Sequence, residues 1–339
     1  MNIPLDIEQT DDLIAYLCGR GLFEKGAACA AVVLHGGVSN KTVLVQGTTR
    51  SIVVKQALEK LRVASDWRAD PARIGREAAG LKLLERLAPP GSIAPFLFED
   101  ARLFLLGMEA VPDPHENWKT VLLRGDVADD AIDQFGALLG RIHFQGTKLD
   151  EEAIRPLQDR RFFEELRVDP YYRFTAKGNP DAAEFYERLI RDMETATLTV
   201  VHGDFSPKNI LVHQGRLILL DHEVIHWGDP AFDLGFALTH LLSKANRLRS
   251  SRELFLRAAG KFWQSYVVEA GSLSDGKDFE FRACRQTLAC LLARIDGRSP
   301  LEYLKREERV AQKRAVLELM RNPPRHIHNL IREFGCRLS

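Results

Sequence analysis

The chain has 339 residues, 45% of them hydrophobic and 28% charged, which is long for a single core and favours two lobes. Lys and Arg total 47 and Asp and Glu total 47, so no net field draws the chain toward nucleic acid or an anionic membrane surface. Its five cysteines lack C-x-x-C spacing, and Met1 to Asp6 has neither a basic nor an apolar leader region, so the sequence reads as cytoplasmic with reduced thiols.

Taken in order, helical periodicity from Asp6 to about Gly21 (Leu13, Ile14, Leu17) predicts a leading helix. Ala30–Leu34, Lys41–Gln46 and Ser51–Lys55 are β-rich runs broken by glycine-containing turns, which predicts an antiparallel meander. Asp70-Pro71 opens a helix, with Asp as N-cap and Pro at its first position. It runs to about Leu87, with Ile74, Ala78, Leu81 and Leu84 on its apolar side, and Pro89-Pro90-Gly91 ends it. Two strands follow near Phe96–Phe98 and Leu103–Ala110. The apolar stretch there is too short to span a bilayer and contains Glu109.

Downstream the pattern is mainly helical. Ile132, Phe135, Leu139 and Ile142 form one apolar stripe, and others lie near residues 231–245, 251–270, 278–295 and 300–320. Ser299-Pro300-Leu301-Glu302 predicts a capping box. A β-rich first third and a helical remainder predict an α+β protein in two lobes, divided into residues 1–110 and 111–339. Oligomeric state leaves no readable signal.

The chemistry gathers between Val201 and Glu223. Phosphoryl transfer from a nucleotide needs a carboxylate to orient the attacking hydroxyl and oxygen ligands to hold Mg²⁺. Asp204, Asn209 and Asp221 supply these residue types. Ile210–His213 and Leu217–Leu220 flank Gln214-Gly215-Arg216, a β-hairpin pattern that sets Asn209 opposite Asp221. Directly opposed residues have Cβ atoms roughly 5 Å apart, so both side chains are placed to share one metal ion. Glu223, two positions on, points to the same side if the chain stays extended. A polar turn before a buried hairpin is the plain alternative, and the joint spacing argues against it.

Upstream, the turn Leu34–Asn40 contains Gly36 and Gly37, which let backbone approach a phosphate, and Ser39 and Asn40, which can donate to its oxygens. An ordinary hairpin turn is the alternative, and the Lys55 strand just beyond decides between them. Glu77 lies between Ile74 and Leu81 on the inward side of the following helix and is the expected partner of Lys55, with Glu85 as competitor.

His202-Gly203-Asp204 through Asn209 resembles the H-G-D-x-x-x-x-N loop of the aminoglycoside phosphotransferase and choline kinase branch of protein-kinase-like phosphotransferases. Asp221-His222-Glu223 resembles that branch's D-x-E metal motif, and the resemblance covers roughly residues 28 to 305. It implies a bilobal kinase-like fold, ATP and Mg²⁺ as cofactors, and γ-phosphate transfer to a small-molecule hydroxyl. Aminoglycoside, choline-like alcohol and sugar all stay open as acceptors. By this resemblance Asp204 orients the hydroxyl or accepts its proton, Asn209 and Asp221 hold Mg²⁺, and Glu223 is an outer or second-metal ligand. Lys55, on a strand similar to V-A-I-K, steadies the phosphates with Glu77.

Leu105–Pro112 looks like the hinge, with backbone groups near Glu109 and Val111 facing adenine. Asp229-Pro230-Ala231-Phe232-Asp233-Leu234 resembles a D-P-x-x-D-L segment, in which Asp233 N-caps or anchors the helix that supports the loop around His202 and Asp204. Asp229, Arg294 and Asp296 are the candidate acceptor contacts, while Phe162–Tyr172 reads either as a cleft wall or as inter-helix packing, with packing favoured. Two rival functions fit the same motifs less well. A protein kinase is disfavoured because only seven residues separate Asp221 from Asp229, and a non-catalytic pseudokinase because Lys55, Asp204, Asn209 and Asp221 are intact.

Overall fold

In the computed structural model, which describes residues 5–24, 26, 28–35, 37–63, 66–276 and 278–338, the β-rich first third forms one antiparallel sheet. Its strands are β1 (Ala30–Val33), β2 (Asn40–Gln46), β3 (Ser51–Ala57), β4 (Phe96–Asp100) and β5 (Leu105–Glu109), in the order β1-β2-β3-β5-β4. Because side chains alternate along a strand, Val43, Val45, Ile52 and Val54 share one face. There they bury against Leu13 and Leu17 of helix α1 (Thr10–Gly19). Lys55 falls on the other face, toward the cleft.

Helix α2 (Arg73–Leu87) starts three residues after Asp70, whose carboxylate accepts from the Ala72 amide at 2.9 Å. It stops before Pro89, which cannot donate to a helical ladder. Ile74, Ala78, Leu81 and Leu84 are buried along it, and so is Glu77.

The rest of the chain is mainly helical. Its longer helices are α3 (Trp118–Leu123), α4 (Asp129–Gly146), α5 (Pro180–Thr195), α6 (Ala231–Arg247), α7 (Arg252–Ala270), α8 (Phe279–Asp296), α9 (Arg306–Arg321) and α10 (Ile327–Arg337). Helix α6 is buried on nearly every side, as expected of a helix at a lobe's centre. Short strands complete this part: β6 (His115–Asn117), β8 (Ile210–His213) and β9 (Arg216–Leu219) in one sheet, β7 (Thr199–Val201) with β10 (His226–Gly228) in another. The architecture is the expected bilobal α+β arrangement. No helix among the described residues is long and apolar enough to cross a membrane.

One local expectation fails. Ser299–Glu302 forms no helical cap, because α9 begins only at Arg306, where Glu308 accepts from the Lys305 amide at 2.6 Å. The segment Glu164–Arg173 is a π-helix with Pro170 inside it, and both expectations for this stretch, cleft wall and packing, are met. Phe162 and Phe163 just before it do enter the core, while Arg167 and Tyr171 reach the cleft wall.

Candidate active site

Strand β7 delivers the chain to His202-Gly203-Asp204, and α6 fixes that loop from behind. Asp233, in the first turn of α6, accepts from the amides of His202 (2.7 Å) and Gly203 (2.8 Å) and lies 3.1 Å from Nε2 of His143. Complete burial opposes the Asp233 charge, but its hydrogen bond with His143 and the neighbouring donors hold its carboxyl below the usual range. Gly203 has φ +79°, and a Cβ there would meet Val224 Cγ2 at 2.8 Å. The Asp204 amide donates to Nδ1 of His202 (3.2 Å), so that ring carries its proton on Nε2, 3.0 Å from Nδ1 of His222. Burial pushes both imidazoles below their ordinary value, leaving a neutral pair that serves as framework.

Two groups pin the Asp204 carboxylate. Nδ2 of Asn209 donates to Oδ2 at 2.7 Å, and Nη2 of Arg167 reaches the same oxygen at 2.8 Å. Arg167 also donates from Nε to the Gly203 carbonyl at 2.8 Å. Its burial opposes the positive charge, and Asp204 more than offsets this, so the guanidinium is held charged.

A second knot of charge lies on the sheet side. Nζ of Lys55 sits 2.5 Å from Glu77 and 3.0 Å from Asp221. Burial disfavours the ammonium, yet Asp221 and Glu77 together raise its pKa. Glu77 is pushed up to about 7, by burial first, with Lys55 pulling the other way. Asp221 is buried too, but Lys55 and Lys208 hold its carboxyl well below the usual range. Glu223 accepts from Nε of Arg73 at 3.1 Å and is raised, chiefly by burial. One carboxylate oxygen from each of Glu77, Asp221 and Glu223 lies within 4.8 Å of the others, a set of hard donors that fits a divalent cation.

The hairpin register differs by one residue from the expected one. Ile210 pairs with Leu219 and His213 with Arg216, leaving a two-residue turn, Gln214-Gly215, with both φ positive. Asn209 therefore faces Leu220, whose amide donates to its carbonyl at 2.9 Å, and Asp221 comes one step later at φ +69°. The chain is not extended beyond it; residues 223–224 turn, and this turn brings the Glu223 carboxylate into the cluster.

Gly37, Ser39, Asn40, Lys55, Asp204, Asn209, Asp221 and Glu223 line one cleft. Gly36 lies outside the described residues. Asn40 turns its amide toward Glu223 (3.5 Å), and its Oδ1 has no partner. Glu109 and Val111 are not brought to this cleft; they line a separate crevice with Pro95 and His213. The Glu109 amide donates to the Pro95 carbonyl at 2.9 Å, and its carboxylate pairs with Arg50, so its backbone N–H is already spent within the sheet region. Glu85 lines the same crevice, away from Lys55. Of the three candidate acceptor contacts, Asp229 pairs with Arg282 at 3.0 Å and Asp296 with Lys313 at 2.6 Å, leaving Arg294 in the cleft. Arg73 and Arg167 escaped the sequence reading. The available signal was an arginine within an aromatic run for Arg167, and an arginine one turn before Glu77 for Arg73.

Residues 31–266 match the family model described as the phosphotransferase enzyme family. The chain belongs to that family. Methylthioribose kinase from Pectobacterium carotovorum subsp. carotovorum is 24% identical over 290 residues, 74% of this chain and 71% of that protein. Its counterpart from Pectobacterium atrosepticum is 25% identical over 262 residues, 66% of this chain and 64% of that protein. The chain thus spans about two thirds of the length of these relatives. Among solved structures, an amicoumacin kinase in complex with AMP-PNP, Ca²⁺ and Ami superposes with TM-score 0.57 at 14% identity, covering 95% of this chain and 99% of that one. A choline/ethanolamine kinase family protein from Mesorhizobium loti gives 0.55 at 13%, covering 97% and 98%. This phosphotransferase family member therefore has the fold that its motifs resembled.

Proposed function

We propose that this phosphotransferase transfers the γ-phosphate of ATP, with Mg²⁺, to a hydroxyl of a small molecule. One observation carries the reading. A carboxylate fixed by Arg167 and Asn209 lies in the same cleft as the Lys55–Glu77–Asp221 cluster, with 2.5–3.0 Å between the charged partners of each group. Asp204 orients the acceptor hydroxyl and takes its proton. Lys55, held by Glu77, steadies the donor phosphates, and Gly37, Ser39 and Asn40 form the loop beside them. Asn209 and Asp221 are the residues to hold Mg²⁺, with Glu223 as an outer or second-metal ligand. Bound there, the ion would neutralise charge on the phosphates. Residues 1–110 act as the nucleotide lobe and 111–339 as the catalytic and acceptor lobe.

The cleft volume of about 490 Å³ falls within the size of small-molecule sites. The short Asp221–Asp229 interval offers no peptide platform, and the methylthioribose kinase relatives favour a hydroxylated, sugar-like acceptor. The test is transfer of radiolabelled γ-phosphate to a small-molecule extract against transfer to a protein lysate. Label in small molecules is expected; label in protein bands alone overturns the reading.

A further inference from the structure

We propose that the acceptor carries an anionic group, a carboxylate or a phosphate ester, seated against Arg294, His240 and Lys119 while its hydroxyl lies at Asp204. This rests on the kinase reading above. Arg294 is 7% exposed and lines the cleft, and its partners are neutral. They are the Tyr171 hydroxyl (3.0 Å), Oγ of Ser299 (3.0 Å) and the Ser299 carbonyl, while its buried Nε has none. A buried guanidinium with no hydrogen-bonded counter-charge is costly, and an anion in the cleft would supply one.

His240, 3% exposed, lines the same wall, and neither of its ring nitrogens has a partner among the described residues. Burial and the adjacent Lys244 keep its ring neutral, so it offers one N–H and one lone pair to a ligand. Behind it, Lys244 is fully buried, with the His240 carbonyl at 3.3 Å and the Tyr303 ring at 5.2 Å. Lys119 borders the cleft and pairs with Glu302, which is outward and exposed.

These groups are coupled to the reacting centre by one ring. The guanidinium carbons of Arg167, which holds Asp204, and of Arg294 lie 5.7 and 5.4 Å from the Tyr171 centroid. A small acceptor can span that interval. The other acidic residues lining the cleft, Asp221 and Glu223, belong to the Lys55 end. A polycationic acceptor would therefore meet Arg294 and Lys119 at an end of the cleft whose one nearby carboxylate, Glu302, is already paired with Lys119.

The experiment divides a small-molecule extract on an anion-exchange resin at neutral pH and offers each fraction to the enzyme with Mg²⁺ and γ-labelled ATP. Labelled product should arise from the retained fraction. Product confined to the unretained fraction overturns the anionic acceptor and leaves the kinase reading standing. No labelled small molecule from either fraction overturns both. Phosphatase treatment of the retained fraction, with the phosphatase then removed, distinguishes a phosphate ester (activity lost) from a carboxylate (activity kept), and each supports the proposal. With the active acceptor in hand, Arg294→Gln should raise its KM about 10- to 100-fold while kcat stays within about threefold. Lys119→Gln, nearer the solvent, gives a second reading if Arg294→Gln does not fold. Unchanged acceptor KM in a folded Arg294→Gln and in Lys119→Gln refutes the assignment.

Discussion

Replacing Asp233 by Asn tests whether the loop carrying Asp204 is held from beneath. In the wild type, Oδ2 takes the His202 amide and faces His143, while Oδ1 takes the Gly203 amide. Asn keeps one acceptor oxygen and places an NH₂ where the other stood. Set in its better orientation, it retains the contacts of Oδ2 and strands the Gly203 amide. A buried donor left unpaired costs about 1–3 kcal/mol, and loss of charge assistance in the remaining bonds brings the total to about 2–4 kcal/mol. The loop also loses its fixed position, and kcat should fall on the order of 10- to 100-fold, since a displacement of about 1 Å can cost that much.

Urea denaturation, read from the midpoint, and steady-state turnover give the two numbers. Asp296→Asn is the control, because its pair with Lys313 is partly exposed and worth under about 1 kcal/mol. The sign with pH is fixed. A carboxyl whose folded pKa is lowered contributes stability above its unfolded value of about 3.9 and loses it as pH falls through the folded value. The gap between wild type and Asp233→Asn should therefore narrow below about pH 4. A variant matching the Asp296→Asn control in midpoint and the wild type in turnover would refute the reasoning.

Three further outcomes are expected. Asp204→Asn should lower kcat on the order of 10²–10⁴-fold with nucleotide affinity nearly intact, measured by turnover and by ATP titration. Asp221→Ala should abolish Mg²⁺-dependent ATP binding and Asn209→Ala weaken it; titrating Mg²⁺ in a binding assay checks both, and unchanged metal dependence in the pair rules out the metal assignment. Lys55→Met should raise KM for ATP and lower kcat, with Glu77→Gln a milder form. Their 2.5 Å contact should give a coupling of about 1–3 kcal/mol in a double-mutant cycle.

The motifs were legible because their chemistry needs rare residue types at short spacing. His202 through Glu223 places the candidate base and the candidate metal-holding oxygens within 22 residues of chain, and Lys55 and Glu77 each sit on elements with clear periodicity. The hairpin register was not legible to the residue, since Arg216 can equally be written as turn or strand; only the backbone bonds decide that Asn209 faces Leu220. Three-residue strands such as Thr199–Val201 and His226–Gly228 carry too little alternation to be seen. Arg167 was hidden for a different reason. Its partner Asp204 is 37 residues away, and a π-helical path through Pro170 has neither the 3.6-residue nor the two-residue period that reveals an inward face. At the hinge, a strand end reads as free backbone until its neighbour, Pro95, is known to take the Glu109 amide.

Arg73 is fully buried and gathers carbonyls of Ser39, Leu58, Ala69 and Asp70 while its Nε holds Glu223. A few residues along the same helix, Gly80 lets the chain at His222 and Ile225 lie where a Cβ would come within 2.9 Å of both side chains. The seam between the halves is thus stitched by residues scattered over nearly 190 positions. Grafting the first 110 residues of one homologue onto the remainder of another would fail wherever the donor lacked this set, however well each half folded. Arg73, a small residue at position 80 and Glu223 have to be inherited together.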